Sequence, residues 1–120
     1  HDGLARHDAP YPAGGGCHGG LSRYELNNFM SLSGSAFKTG AVIDAPSGNI
    51  DIAPPLCRLL GMDIAGEVDG RVLAEAFVGG DLPAEWQDQT LVAQNSTGVR
   101  THLSVTDMAG IRYLNRAWVA

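Results

Sequence analysis

A single imidazole held among glycines is the part of this sequence best suited to chemistry. His18 stands in the run Gly14-Gly15-Gly16-Cys17-His18-Gly19-Gly20-Leu21-Ser22. Glycine accepts conformations and close approaches that other residues resist, so such a loop can bring a neutral imidazole against an ion or a phosphoryl group. Imidazole is a good zinc ligand, and its second ring nitrogen needs an acceptor to fix its orientation. From spacing alone, the plainer alternative is a loop histidine that makes a local hydrogen bond or meets solvent. His1-Asp2 and His7-Asp8 repeat at a spacing of six and read as polar loop pairs, since nothing fixes the geometry a metal clip would need. His102 falls on the polar side of an alternating segment, where exposure is expected. Cys17 and Cys57 are an even pair, but two cysteines make no disulfide framework in a chain of this length, and Cys57 is expected as a buried free thiol.

The elements that must position these residues divide the chain into three stretches. Residues 1–20 hold two prolines, six glycines and little periodicity, and read as irregular loop. Residues 21–80 form an α/β segment. Phe29-Met30-Ser31-Leu32 suits a buried strand and Ala41-Val42-Ile43 is a second candidate, being short apolar runs between polar or glycine-containing stretches. Asp51 is placed as a helix N-cap, with Pro54 and Pro55 in a first turn whose amides lack partners anyway and Gly61 as the stop. Ile52, Leu56, Leu59 and Leu60 then share one apolar face that a sheet or another helix must cover, while Arg58 points to solvent. A second, short helix is expected from Arg71 to about Phe77, introduced by Asp69-Gly70 and ended before Gly79-Gly80.

After Asp81-Leu82-Pro83 the period changes to two. Val99, Thr101, Leu103 and Val105 alternate with Arg100, His102 and Ser104, which is the pattern of a strand with one buried face. Asn95-Ser96-Thr97-Gly98 and Asp107-Met108-Ala109-Gly110 are turn-like, so segments 90–94, 99–106 and 111–118 are expected to form an antiparallel meander within the stretch 81–120. Asn95-Ser96-Thr97 also matches the N-glycosylation acceptor pattern.

The 120 residues suffice for one compact domain, and 44% hydrophobic with 18% charged residues is an ordinary globular composition. A net charge of −5 with only eight Lys and Arg excludes a phosphate-backbone-binding surface, which needs clustered cations. A small phosphoester is still compatible where metal cations supply the positive charge. No apolar run approaches the roughly 20 residues that span a bilayer. The chain opens on His1, and the expectation is a piece of a longer parent, with any export signal upstream.

Read in order, His18-Gly19-Gly20-Leu21-Ser22-Arg23-Tyr24-Glu25-Leu26-Asn27-Asn28, then Pro46-Ser47-Gly48-Asn49-Ile50-Asp51-Ile52-Ala53-Pro54-Pro55, then Leu59-Leu60-Gly61, the series resembles the C-terminal part of the type I phosphodiesterase and nucleotide pyrophosphatase branch of the alkaline phosphatase superfamily. The likeness covers residues 14 to 77 and, more loosely, the tail to Trp118. It implies a C-terminal fragment of an α/β/α sandwich carrying two helices and the meander. It further implies that His18 is a late ligand of a site for two divalent metal ions, usually zinc, whose other donors and Thr or Ser nucleophile are encoded upstream. Such a pair of ions stabilises the attacking and departing oxygens of an in-line phosphoryl displacement. On this reading Ser22 is a structural hydroxyl of the loop, Asn28 braces the chain after it, and no catalytic nucleophile lies in this sequence. Gly34-Ser35 stands where relatives commonly have Gly-Pro before Phe37, and Pro55 where they have Thr.

The partners implied are a small phosphoester substrate and the upstream remainder of the parent, with neither a nucleic-acid polymer nor a membrane. A strand edge deprived of its neighbours is expected to promote self-association. A periplasmic or secreted location accords with the resemblance. The competing reading is a binding or structural module that retains the fold without activity.

Overall fold

The computed structural model describes residues 19–63, 68–81 and 85–120. It is a small α+β arrangement of two helices, α1 (Arg23–Leu26) and α2 (Ala53–Leu60), and a three-stranded antiparallel sheet of β1 (Trp86–Gln94), β2 (Arg100–Met108) and β3 (Ile111–Val119) in the order β1-β2-β3. The described residues divide into two compact units, one of 19–29, 88–106 and 114–120, the other of 30–63, 68–81, 85–87 and 107–113.

In the second unit, α2 has the expected prolines and C-terminal stop, but its N-cap is Ile52 instead of Asp51. Pro54 and Pro55 sit in its first turn, and Gly61 caps it in the left-handed region at φ 62° with its amide donating to the Arg58 carbonyl, which glycine accepts without the steric cost of a side chain. The expected burial of its apolar face is not found: Ile52, Leu56, Leu59 and Leu60 are all exposed, Leu60 at 70%. Pro54 and Pro55, in its first turn, are the buried residues of this helix. Arg58 is exposed as expected and lays its guanidinium 4.8 Å from the Phe77 ring centre. Cys57 is a free thiol, half-buried instead of fully buried.

Three other expectations need correction. Phe29–Leu32 and Ala41–Ile43 are irregular chain instead of strands, with Phe29 92% and Val42 89% exposed. The pairing forms between them and further on: Phe37 bridges antiparallel to Phe77, their rings 5.0 Å apart, while the Lys38 amide donates to Ala76 and the Val78 amide to Ala36. The helix expected over 71–77 is only a 3-10 turn, Ala74–Ala76. Ala76 within it and Leu73 and Phe77 on either side are buried and join Met108 and Tyr113 as the apolar core of the unit.

The meander is present, with β1 beginning four residues earlier than the alternation marks. Asn95 builds its first turn: the amide donates to the Val99 carbonyl at 3.0 Å, and Oδ1 accepts from the Thr97 amide and hydroxyl and from the Val99 amide. The second turn places Ala109 and Gly110 at φ 51° and 81°, the paired positive values of a type I′ hairpin. Asp107 opposite Arg112 and Ser104 opposite Asn115 fix the register near this turn. Further along, His102 stacks on Trp118 and the Ala120 amide donates to Arg100, a register one residue longer. β3 therefore carries an extra residue between Asn115 and Trp118, the signature of a β-bulge, and there the Ala117 amide turns to the Leu21 carbonyl.

Candidate functional site

His18, with Cys17, lies outside the described residues. The chain that follows it is held at two points, Leu21 and Ser22. Gly19 takes φ 90°, a conformation open to glycine and strained for other residues. The Leu21 carbonyl accepts the Ala117 amide at 2.7 Å, tying the loop to β3. Ser22 is buried, and its Oγ donates to Glu25 Oε2 at 2.9 Å, while its carbonyl accepts the amides of Glu25 and Leu26. The Glu25 carboxylate lies where a Cβ on Gly20 would stand. Asn28 donates from Nδ2 to the Glu25 carbonyl at 3.2 Å.

The Ser22 hydroxyl is thus engaged within its own turn. Glu25 is the residue that sequence reasoning missed. The signal was present, since Ser-x-x-Glu is the spacing of a helix-capping pair, although here the two side chains bond to each other and neither caps α1.

A second constellation lies in the other unit. Asp51 is fully buried; its Oδ2 accepts the Gly48 amide at 2.9 Å and its Oδ1 accepts the Arg71 amide at 2.8 Å. The acid expected as the N-cap of α2 therefore joins its own turn to the Arg71 amide, twenty residues on. The Arg71 guanidinium donates twice to Glu75, at 2.9 and 2.6 Å, once to the Pro46 carbonyl at 2.8 Å and once to the Tyr113 hydroxyl at 3.2 Å. A bidentate arginine–carboxylate pair is among the stronger polar contacts in a protein.

The electrostatics follow from this geometry. Burial opposes the charge on Arg71, but hydrogen bonding to Glu75 and Tyr113 outweighs it and raises its pKa. Burial likewise favours the neutral Glu75 carboxyl, yet the Arg71 hydrogen bonds hold it below the ordinary value. The Tyr113 phenol is raised, first by burial and then by Asp51. The Glu75 carboxylate is directed at the guanidinium and the Asp51 carboxylate at two backbone amides, an arrangement suited to holding backbone in place.

The third group lies across the sheet. The Thr106 hydroxyl donates to the Asp88 carboxylate and accepts from Asn115 Nδ2. His102, expected on an exposed face, is half-buried instead: it stacks 5.0 Å from Trp118 at an interplanar angle of 12°, with Nε2 buried and unpartnered. The bulge in β3 explains this, since without the extra residue His102 would oppose Ala117 and Trp118 would take the other face. Arg116 lies 4.5 Å from the Trp118 ring centre.

Among the described residues, no three His, Cys, Asp or Glu side chains come together as a metal site. Glu25 is engaged with Ser22, Glu75 with Arg71, Asp88 with Thr106 and Asp107 with Arg112. A catalytic zinc generally needs about three protein ligands, so the described residues do not by themselves fit such an ion. No helix among them is long and apolar enough to cross a membrane. No family model, no curated protein and no solved structure matches the chain.

Proposed function

We propose that the chain is the C-terminal portion of a metal-dependent phosphoester hydrolase of the phosphodiesterase and nucleotide pyrophosphatase type, folded in its parent as part of an alkaline-phosphatase-like sandwich. In this reading His18 supplies one ligand to a pair of divalent ions, zinc by analogy. The upstream chain supplies the other donors, the nucleophile and the residues that select a small phosphoester.

The observation that supports it is the ordered run from His18 to Asn28, whose described part is fixed at Leu21 by β3 and at Ser22 by Glu25. A ligand loop needs such fixing, because a metal site tolerates little freedom in its donors. The metal, when bound, would polarise the phosphoryl oxygens and activate the nucleophile. The residues described here would hold the loop and accept or donate no proton in the reaction.

The test uses the full-length parent. His18→Ala should lower turnover of a phosphodiester such as bis(4-nitrophenyl) phosphate by at least about 100-fold, since changes to outer-shell partners alone typically cost 10–100-fold. Bound zinc should fall in parallel. Unchanged turnover would overturn the ligand role, and a parent lacking a Thr or Ser nucleophile and further Asp and His ligands would be a binding or structural module instead.

A further inference from the structure

Among the described residues, β1 is an edge strand of nine residues, with eight of them exposed. The hydrogen bond from the Asn95 amide to Val99 sets which way its backbone faces. Hydrogen-bonded pairs recur at every second residue of an antiparallel ladder, so Ala93, Leu91 and Gln89 direct their amides and carbonyls to β2. Asp88, Thr90, Val92 and Gln94 direct theirs outward. The contact between Asp88 and Thr106 agrees with this register, because side chains approach more closely at the non-hydrogen-bonded positions. Edge strands in stable proteins are ordinarily protected by lysine, proline, a bulge or a short length. β1 has no lysine, proline or glycine, and Asp88 is its one charged residue.

We propose that this edge is an interaction surface for a second copy of the same chain, the two β1 strands pairing antiparallel about a twofold axis at Leu91. The residues are self-complementary in that register. Leu91 meets Leu91 of the other copy, Thr90 meets Val92, Gln89 meets Ala93 and Asp88 meets Gln94. Apolar thus falls on apolar, two β-branched residues face each other, and the carboxylate lies opposite a carboxamide that can donate to it. No like charges are opposed. The outward amides and carbonyls of Asp88, Thr90, Val92 and Gln94 are those that the pairing satisfies, and two sheets of three strands become one of six. The net charge of −5 on each copy opposes association at long range, so the dimer tightens as salt screens it. This pairing stands independently of the hydrolase reading.

Sedimentation equilibrium of the chain should show a monomer–dimer equilibrium that strengthens with ionic strength. Leu91→Lys and Leu91→Glu each place like charges on the axis and should raise the dissociation constant about tenfold or more, with an unchanged circular dichroism spectrum. An equimolar mixture of the two variants should recover the dimer, because lysine then faces glutamate. Thr90→Pro removes an outward amide at an edge position where proline is tolerated, and should also give folded monomer. Hydrogen exchange at Thr90 and Val92 should slow as concentration rises. A wild-type monomer whose Thr90 and Val92 amides are already protected would show that the chain covers its own edge, and would overturn the proposal. So would a dimer that both charged variants retain, or variants whose mixture stays monomeric.

Discussion

The two units use their polar side chains in opposite ways. In the unit built on residues 30–87 and 107–113, Asp51, Arg71, Glu75 and Tyr113 are buried or nearly so and bind one another, Pro46 and backbone amides. In the unit that carries the loop after His18, the polar contacts lie on turns and on the sheet, with Val105 its one buried large apolar side chain among the described residues. A buried, paired network resists change, because removing one member leaves the others desolvated and unpaired. A loop tied by one backbone bond and one exposed-side carboxylate can be altered at little cost to the fold. The candidate ligand loop thus belongs to the unit whose geometry is less strongly determined from within, where further chain or a bound ion has the most to add.

The largest effect that would break this contrast is expected at Arg71. Arg71→Ala leaves Glu75 buried and unpaired and should cost about 3 kcal/mol or more, read as a lower urea midpoint. The acid side follows the same logic. Glu75 has a folded pKa below its ordinary 4.5, so its contribution is complete above that value and is lost as pH falls through the lowered one. Glu75→Gln should flatten the stability profile in that window; an unchanged profile would show that the pair does not anchor the unit.

Next in size is Gly70→Ala. A Cβ there would run into the Ile50 carbonyl beside the Asp51 amide, and forcing the backbone apart should cost about 1–3 kcal/mol, read as a lower thermal midpoint. Ser22→Ala in the other unit should cost about 1 kcal/mol, the typical net value of one hydrogen bond. A loss as large as that of Arg71→Ala would erase the contrast. The smallest expected effect is a gain: Ala109 holds a left-handed conformation at φ 51°, and Ala109→Gly should stabilise the chain by about 1 kcal/mol by relieving it.

Much of this was legible in the sequence where local chemistry decides the outcome. Pro54, Pro55 and Gly61 bound α2 because each fixes or frees the backbone at its own position, and the period of two marked the meander because its turn residues agreed with it. The failures lie where distant residues decide. Phe29–Leu32 and Ala41–Ile43 are too short for periodicity to separate a strand from irregular chain. Asp51 has a capping residue's chemistry, but its partner is the Arg71 amide twenty positions on, a contact no local spacing reveals. The Arg71–Glu75 spacing suited a helix, yet Arg71 is also bound to Pro46 and Tyr113, and the segment between is a single 3-10 turn. His102 was misjudged because one extra residue in β3 changes which face Trp118 shares with it. As for the site, the run around His18 lies outside the described residues, and of the chain after it the Ser-x-x-Glu spacing was legible. The contact of Leu21 with β3 was not, because it joins residues 96 positions apart.

The ligand role of His18 is tested most directly by nuclear magnetic resonance of the full-length parent loaded with cadmium-113 and labelled with nitrogen-15 at histidine. The account predicts a scalar coupling between the metal and one imidazole nitrogen of His18, lost in His18→Ala. Couplings to other histidines with none to His18 would contradict it.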